Sequence, residues 1–188
     1  DKSQKRLALW QKRTGQFNWT RVKAIDGRKV DRSLVKIDSY RSMKRGEIGC
    51  WLSHRKAMLT VNTIRLVCED DADLTPQFWK QYFKVMKTAP KDWEVLAFGA
   101  SPLWRKKYQQ KYGKTVSVNQ DWDRVTGDLY GAQCYLIHKK ACHKFLRCET
   151  MNAPLDVDLS RKLKVYLVKN DIVTQLNLGS TTQNPSSK

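Results

Sequence analysis

Leu66-Val67-Cys68-Glu69-Asp70-Asp71-Ala72-Asp73-Leu74 is the stretch on which the reading of this chain turns. A short apolar run, the pattern of a buried strand, stops abruptly in three consecutive carboxylates. Side chains alternate faces in an extended segment, so Glu69, Asp71 and Asp73 are expected to point the same way. Like charges held that close repel unless a cation sits among them, and a divalent ion carrying a diphosphate is the simplest occupant. The plainer alternative is a solvated turn after a strand.

On either side of this stretch the chain alternates between helical and extended patterns. Residues 47–61 read as a helix with Ile48, Trp51, Leu52, Met58 and Leu59 as its apolar stripe. Pro76 is placed to open a helix running to about residue 86, carrying Phe78, Trp79, Tyr82, Phe83 and Val85. Short strands are expected at 64–68, 95–98, 116–118, 132–137 and 166–168, and a further helix at 139–146. Nearer the amino end, 5–16 reads as a helix and 20–25 as a strand closed by an Asp26-Gly27 turn. Strands alternating with helices predict an α/β fold with a mainly parallel central sheet and helices on both faces. In such sheets ligands sit at the carboxyl ends of strands, where the acidic cluster would lie. One domain over 1–178 is expected, followed by a polar, frayed tail over 179–188.

Composition narrows the function classes. The chain has 188 residues, 40% of them hydrophobic and 10% aromatic, as a folded globule requires. No run approaches the ~18–20 apolar residues of a membrane span. Five cysteines, Cys50, Cys68, Cys134, Cys142 and Cys148, show neither zinc-type nor redox-pair spacing. A reducing, cytoplasmic setting is expected, with peripheral contact to an anionic membrane as an option. Lys and Arg number 36 against 18 acidic residues, a formal net charge of +18, which implies attraction to polyanions. The segment from Trp104 to Lys114 mixes cations with aromatics and has no acid, so Arg105, Lys106, Lys107 and Lys111 are candidate polyanion contacts. A solvated charged face is the alternative for that run.

Several segments together resemble glycosyltransferase family 25, the group that includes lipooligosaccharide and collagen galactosyltransferases. They are Gly46-Glu47-Ile48-Gly49-Cys50-Trp51-Leu52-Ser53-His54, Leu66 to Ala72, Asp92-Trp93-Glu94-Val95-Leu96, Gly131 to Ile137 with Lys140-Ala141, Pro154-Leu155-Asp156, and Ile172-Val173-Thr174-Gln175. The resemblance implies a GT-A type nucleotide-sugar-binding fold, a divalent metal (Mn²⁺ or Mg²⁺), and transfer of a hexose, galactose or glucose, with inversion. Glu69, Asp70 and Asp71 fall on the family's acidic motif, with Asp71 as the first choice of metal ligand. Glu69 is assigned either to the metal or, like Asp70, to the donor ribose.

Inversion needs a base on the far face of the sugar. Asp156 falls on the family's second acidic motif and is the expected base or acceptor-binding carboxylate. Asp158 is its rival, since an extended chain presents both to one side, and helix capping is the structural alternative. Asp26 and Gly27 match a donor-side turn, and Ser53 and His54 are candidate near-site residues, with packing into the helix as the other reading. Cys50, Cys134 and Cys142 are expected to pack. The family's opening apolar strand is not found before the Asp1 to Arg6 segment, so the first strand of that pattern is expected to be missing from this chain.

The implied partners are a nucleotide-sugar donor, UDP-hexose first, and a glycan or protein hydroxyl acceptor, with nucleic acid carrying a hydroxylated base ranked behind. The competing function is a non-catalytic nucleic-acid-binding protein on a degenerate transferase fold. Such a binder gains nothing from carboxylates in its cleft.

Overall fold

The computed structural model describes residues 2–14, 18–39, 41–101 and 114–176. Its elements in chain order are α1 (Lys2–Thr14), α2 (Arg45–Met58), β1 (Ile64–Cys68), β2 (Ala72–Asp73), α3 (Phe78–Met86), β3 (Val95–Ala97), β4 (Thr115–Ser117) and β5 (Trp122–Val125). Then come β6 (Cys134–His138), α4 (Lys139–Arg147), α5 (Leu155–Lys162), β7 (Val165–Val168) and β8 (Thr174–Gln175). Six strands form one sheet in the order β1-β6-β3-β7-β5-β4, and β2 pairs with β8 in a separate antiparallel ribbon.

The period of two in the strands sorts the core into two layers. Val67 in β1, Val95 and Ala97 in β3, Tyr135 and Ile137 in β6, and Val165 and Leu167 in β7 face α2, α4 and α5. The intervening residues Leu66, Cys68, Leu96, Cys134, Leu136, Tyr166 and Val168 face α3 and β2 on the other side. On the first face Trp51, Met58, Phe145 and Leu159 fill the gap between helices and sheet. On the second, Phe78, Phe98 and Trp122 meet edge to face, and the Trp122 indole donates to the Val85 carbonyl at 3.0 Å.

The expectation of a mainly parallel sheet is corrected. Within the described six-stranded sheet only β3 and β7 pair in parallel; β1–β6, β6–β3, β7–β5 and β5–β4 are antiparallel. The connection through α3 does link two strands of one direction, β1 and β3, as alternation predicts, but β6 runs between them in the opposite direction. The carboxyl ends of β1, β3 and β7 therefore still share one edge, together with the start of β6.

Residues 20–25 are not a strand. Instead of a sheet neighbour they use helix α2: Ile25 N donates to the Ser53 hydroxyl at 2.8 Å and Lys56 Nζ donates to the Lys23 carbonyl at 3.1 Å. Two predicted core residues are also outside: Leu59, 72% exposed, lies just past the end of α2, and Phe83, 62% exposed, lies off the face that α3 buries. No helix among the described residues is long and apolar enough to cross a membrane.

Candidate active site

At the carboxyl end of β1 the chain turns. Ala72 N donates to the Glu69 carbonyl at 3.1 Å, and Asp70 and Asp71 form the bend. Glu69, Asp71 and Asp73 therefore do not share one direction, since a turn breaks the two-residue period on which that expectation rested. Glu69 stays in register with β6, its N–H donating to the Gln133 carbonyl at 2.9 Å. Like Val67 it faces α2, where its Oε1 lies 3.3 Å from His54 Nε2 and 3.9 Å from Cys50 Sγ. His54 Nδ1 meets the buried Tyr135 hydroxyl at 2.8 Å. Asp70 is exposed, whereas Asp71 is buried and accepts from Gln175 Nε2 at 3.1 Å.

Helix α2 is held against this edge by close backbone contact. An added Cβ on Gly27 would sit 1.7 Å from the Arg45 carbonyl, and one on Gly49 would sit 2.6 Å from the Ile25 carbonyl. Both positions need a residue without a side chain because the two backbones touch. Ser53, one turn on, donates to the Gly49 carbonyl while accepting from Ile25 N. Asp26 caps the 3-10 turn Gly27–Lys29, and Arg28 grips its carboxylate at 2.8–3.2 Å, which holds the carboxyl down at about 2. In this structure Asp26 is thus engaged by its own neighbour, and Gly27 serves the packing of α2.

Asp156 and Asp158 lie in the first turn of α5, not in an extended segment. Two positions apart on a helix is about 200° of rotation, so they face opposite ways. Asp158 is fully buried, its Oδ2 accepting from Trp51 Nε1 and Lys162 Nζ at 2.9 Å each and from Asn152 N at 3.3 Å. That set of donors ties α5 to α2. Asp156 faces the sheet edge, taking the Gly131 N–H at 2.8 Å on Oδ2 and the Val157 N–H at 2.9 Å on Oδ1. Gly131 has φ 115°, a conformation that favours glycine, and this aims its N–H at the carboxylate.

Burial pushes the Asp156 carboxyl up to about 6, the two N–H groups pull it down, and the Glu69 charge raises it again. Burial likewise drives the Cys50 thiol well up, assisted by Glu69, Asp156 and Asp71 in that order. Three carboxylates from β1, its turn and α5 therefore act on one spot below α2. Hard divalent ions at phosphate sites use one or two protein carboxylates plus phosphate oxygens. Asp71 with Glu69 or Asp70 fits that requirement without all three converging.

Sequence reasoning gave no role to Gln133 or Gln175. Gln133 is 2% exposed and its Nε2 has no partner among the described residues. Its oxygen would be 2.7 Å from a Cβ at Gly131, so it lines the same edge. Both glutamines sit inside segments that resemble the family, but an amide carries no charge pattern to mark it. Arg105, Lys106, Lys107 and Lys111 lie outside the described residues, as does the tail over 179–188.

Comparison with known proteins agrees with these motifs. The chain is 35% identical over 157 residues to human procollagen galactosyltransferase 2, covering 73% of this chain and 24% of that protein. The mouse procollagen galactosyltransferase 2 is 28% identical over 157 residues, with the same coverage of 73% and 24%. A glycosyltransferase 25 family member of Aedes aegypti is 30% identical over 153 residues, 72% of this chain and 24% of its own length. The chain thus spans about a quarter of the curated relatives it matches. The family model described as glycosyltransferase family 25 (LPS biosynthesis protein) matches residues 1–160, which include the α2 motif, the acidic turn and Asp156, and the chain belongs to that family.

Proposed function

We propose that this chain is a metal-dependent glycosyltransferase of GT-A type that moves a hexose, galactose or glucose, from a nucleoside diphosphate to an acceptor hydroxyl with inversion. The reading is carried by one observation: the half-buried Asp156 carboxylate shares a sheet edge with the acidic turn Glu69-Asp70-Asp71.

Asp71, with Glu69 or Asp70, would hold a manganese or magnesium ion, which when bound supplies Lewis-acid stabilisation of the departing diphosphate. Asp156 takes the acceptor proton. A carboxylate raised to about 6 is a stronger base than a solvated one and is still ionised at neutral pH. The N–H of Gly131 fixes its orientation. Gln133 Nε2, a buried donor, would meet an oxygen of the bound sugar donor, where its hydrogen bond is worth most. Asp158 is assigned to structure in this reading, since its three donors leave it facing the interior.

For the acceptor we favour a glycan or protein hydroxyl, in keeping with relatives named as procollagen galactosyltransferases and a family described by LPS biosynthesis. The net charge of +18 suits an anionic acceptor, such as a phosphorylated glycan core. The comparisons lend nothing to contact with nucleic acid or a membrane surface. The test is nucleotide release from UDP-galactose and UDP-glucose with and without Mn²⁺, followed by product stereochemistry. Metal-independent release, or release unchanged in Asp156→Asn, counts against the reading.

A further inference from the structure

The side chains of Cys50, His54 and Glu69 bring their ligand atoms within 4.8 Å of one another, the one such group of three His, Cys, Asp or Glu residues among the described residues. Cys50 and His54 are four apart on α2 and so lie on one face, and Glu69 reaches them from the end of β1. At 3.3 Å, His54 Nε2 to Glu69 Oε1 is beyond the usual N–H···O length, and Cys50 Sγ to the same oxygen is 3.9 Å. A tetrahedral ion with bonds of ~2.1 Å to nitrogen and oxygen and ~2.3 Å to sulfur spaces its ligand atoms by roughly 3.4–3.6 Å. The two distances bracket that spacing. His54 also has an outer hydrogen-bond partner on its other ring nitrogen: its Nδ1 meets the Tyr135 hydroxyl at 2.8 Å, which leaves Nε2 toward the cluster.

We propose that Cys50, His54 and Glu69 form a binding site for a borderline-soft divalent cation of the zinc class, distinct in donor chemistry from the hard ion assigned to the donor diphosphate. Sulfur and imidazole select zinc over manganese or magnesium, which prefer oxygen. With Glu69 rather than Asp70 as the second ligand of the donor-side ion, zinc withdraws one carboxylate from the donor side and restrains transfer. That last clause rests on the transferase reading; the site itself does not.

Cobalt(II) added to the metal-depleted chain is the probe, read by absorption. The expected result is intense tetrahedral visible bands with a sulfur-to-cobalt charge-transfer band, displaced by stoichiometric zinc and unaffected by magnesium. Cys50→Ser removes the charge-transfer band, and Tyr135→Phe, which removes the outer partner, weakens cobalt binding about 10–100-fold. Cys68 and Cys134, whose sulfurs are 3.3 Å apart on the opposite face of the sheet, are the control. The doubly substituted Cys68→Ser, Cys134→Ser chain keeps the band. Equal thermal midpoints of wild type and Cys50→Ser in EDTA show that the variant folds; should it not fold, His54→Gln takes its place, with loss of the tetrahedral bands expected. A weak octahedral spectrum from wild type, or a band that survives Cys50→Ser, overturns the site.

In the transfer assay, zinc added over manganese lowers turnover, and turnover unchanged while the cobalt band is present overturns the shared use of Glu69. A chain with the band and no transfer loses the transferase reading alone. A chain that transfers and shows no band loses the zinc site alone.

Discussion

Asp156 concentrates the chemistry in one carboxyl group, and its environment gives that group a signature. With its titration raised to about 6 by burial, Asp156 must lose its proton before it can accept one, so transfer should fall as pH drops through about 6. Asp156→Asn should lower turnover ~10²–10⁴-fold and abolish that acidic limb, measured as a pH–rate profile. Stability moves the other way. The folded group titrates above the ordinary 3.8, so the native state binds the extra proton and wild type loses stability as pH rises from about 4 to about 6. Asp156→Asn should flatten that slope in thermal melts. Asp71→Asn should leave the fold intact yet remove the manganese-dependent thermal shift by UDP, because it replaces the buried carboxylate proposed for the ion with a neutral amide. A full shift in that variant would move the metal assignment to Glu69 and Asp70.

Helix α2 is the element that assembles the site, since one of its faces carries Cys50, Ser53 and His54 while its start rests on Gly27. A methyl group at Gly27 meets backbone 1.7 Å away and cannot be relieved by a side-chain rotation. Gly27→Ala should therefore destabilise the fold by roughly 1–3 kcal/mol in denaturant melts and impair transfer with it. Ser53→Ala leaves the Ile25 N–H without its acceptor, at a cost of about 1–3 kcal/mol if the site stays dry. These positions read as donor-side or near-site residues in the sequence because they fall on segments that resemble the family. Their contacts show instead how the 20–25 segment, read as a strand, is laid along a helix. Val22 and Ile25 are its partly buried residues, and apolar residues in a half-buried chain do not say whether a strand or a helix lies beside it.

Taken as a whole, the molecule combines an acidic edge with a strongly basic remainder, and the two should be separable by salt. Binding of an anionic acceptor should weaken as ionic strength rises, since exposed charges are screened beyond ~10 Å at 0.1 M. Donor binding, held by ligation through the ion, should change less. Isothermal titration of UDP with Mn²⁺ and of a phosphorylated glycan at two salt concentrations distinguishes the two. Equal salt dependence would mean that the net charge of +18 serves something other than acceptor recognition.

The acidic turn, the α2 motif and the boundaries of β1, α3 and α4 were legible because each depends on local order: an apolar run meeting charges, a helical stripe, a proline at a helix start. Sheet direction was not, because β6 inserts between two like-directed strands and nothing local to β1 or β3 records that neighbour. Neither were β5 and α5, short elements whose apolar residues are selected by what they pack against. The division of Asp156 from Asp158 likewise came with α5: one turn of helix sends the first to the sheet edge and the second to Trp51 and Lys162. Residue types and their spacing along the chain determine which groups are available for chemistry. Which of them meet is decided by packing between segments distant in sequence, since those contacts have no counterpart in any local pattern.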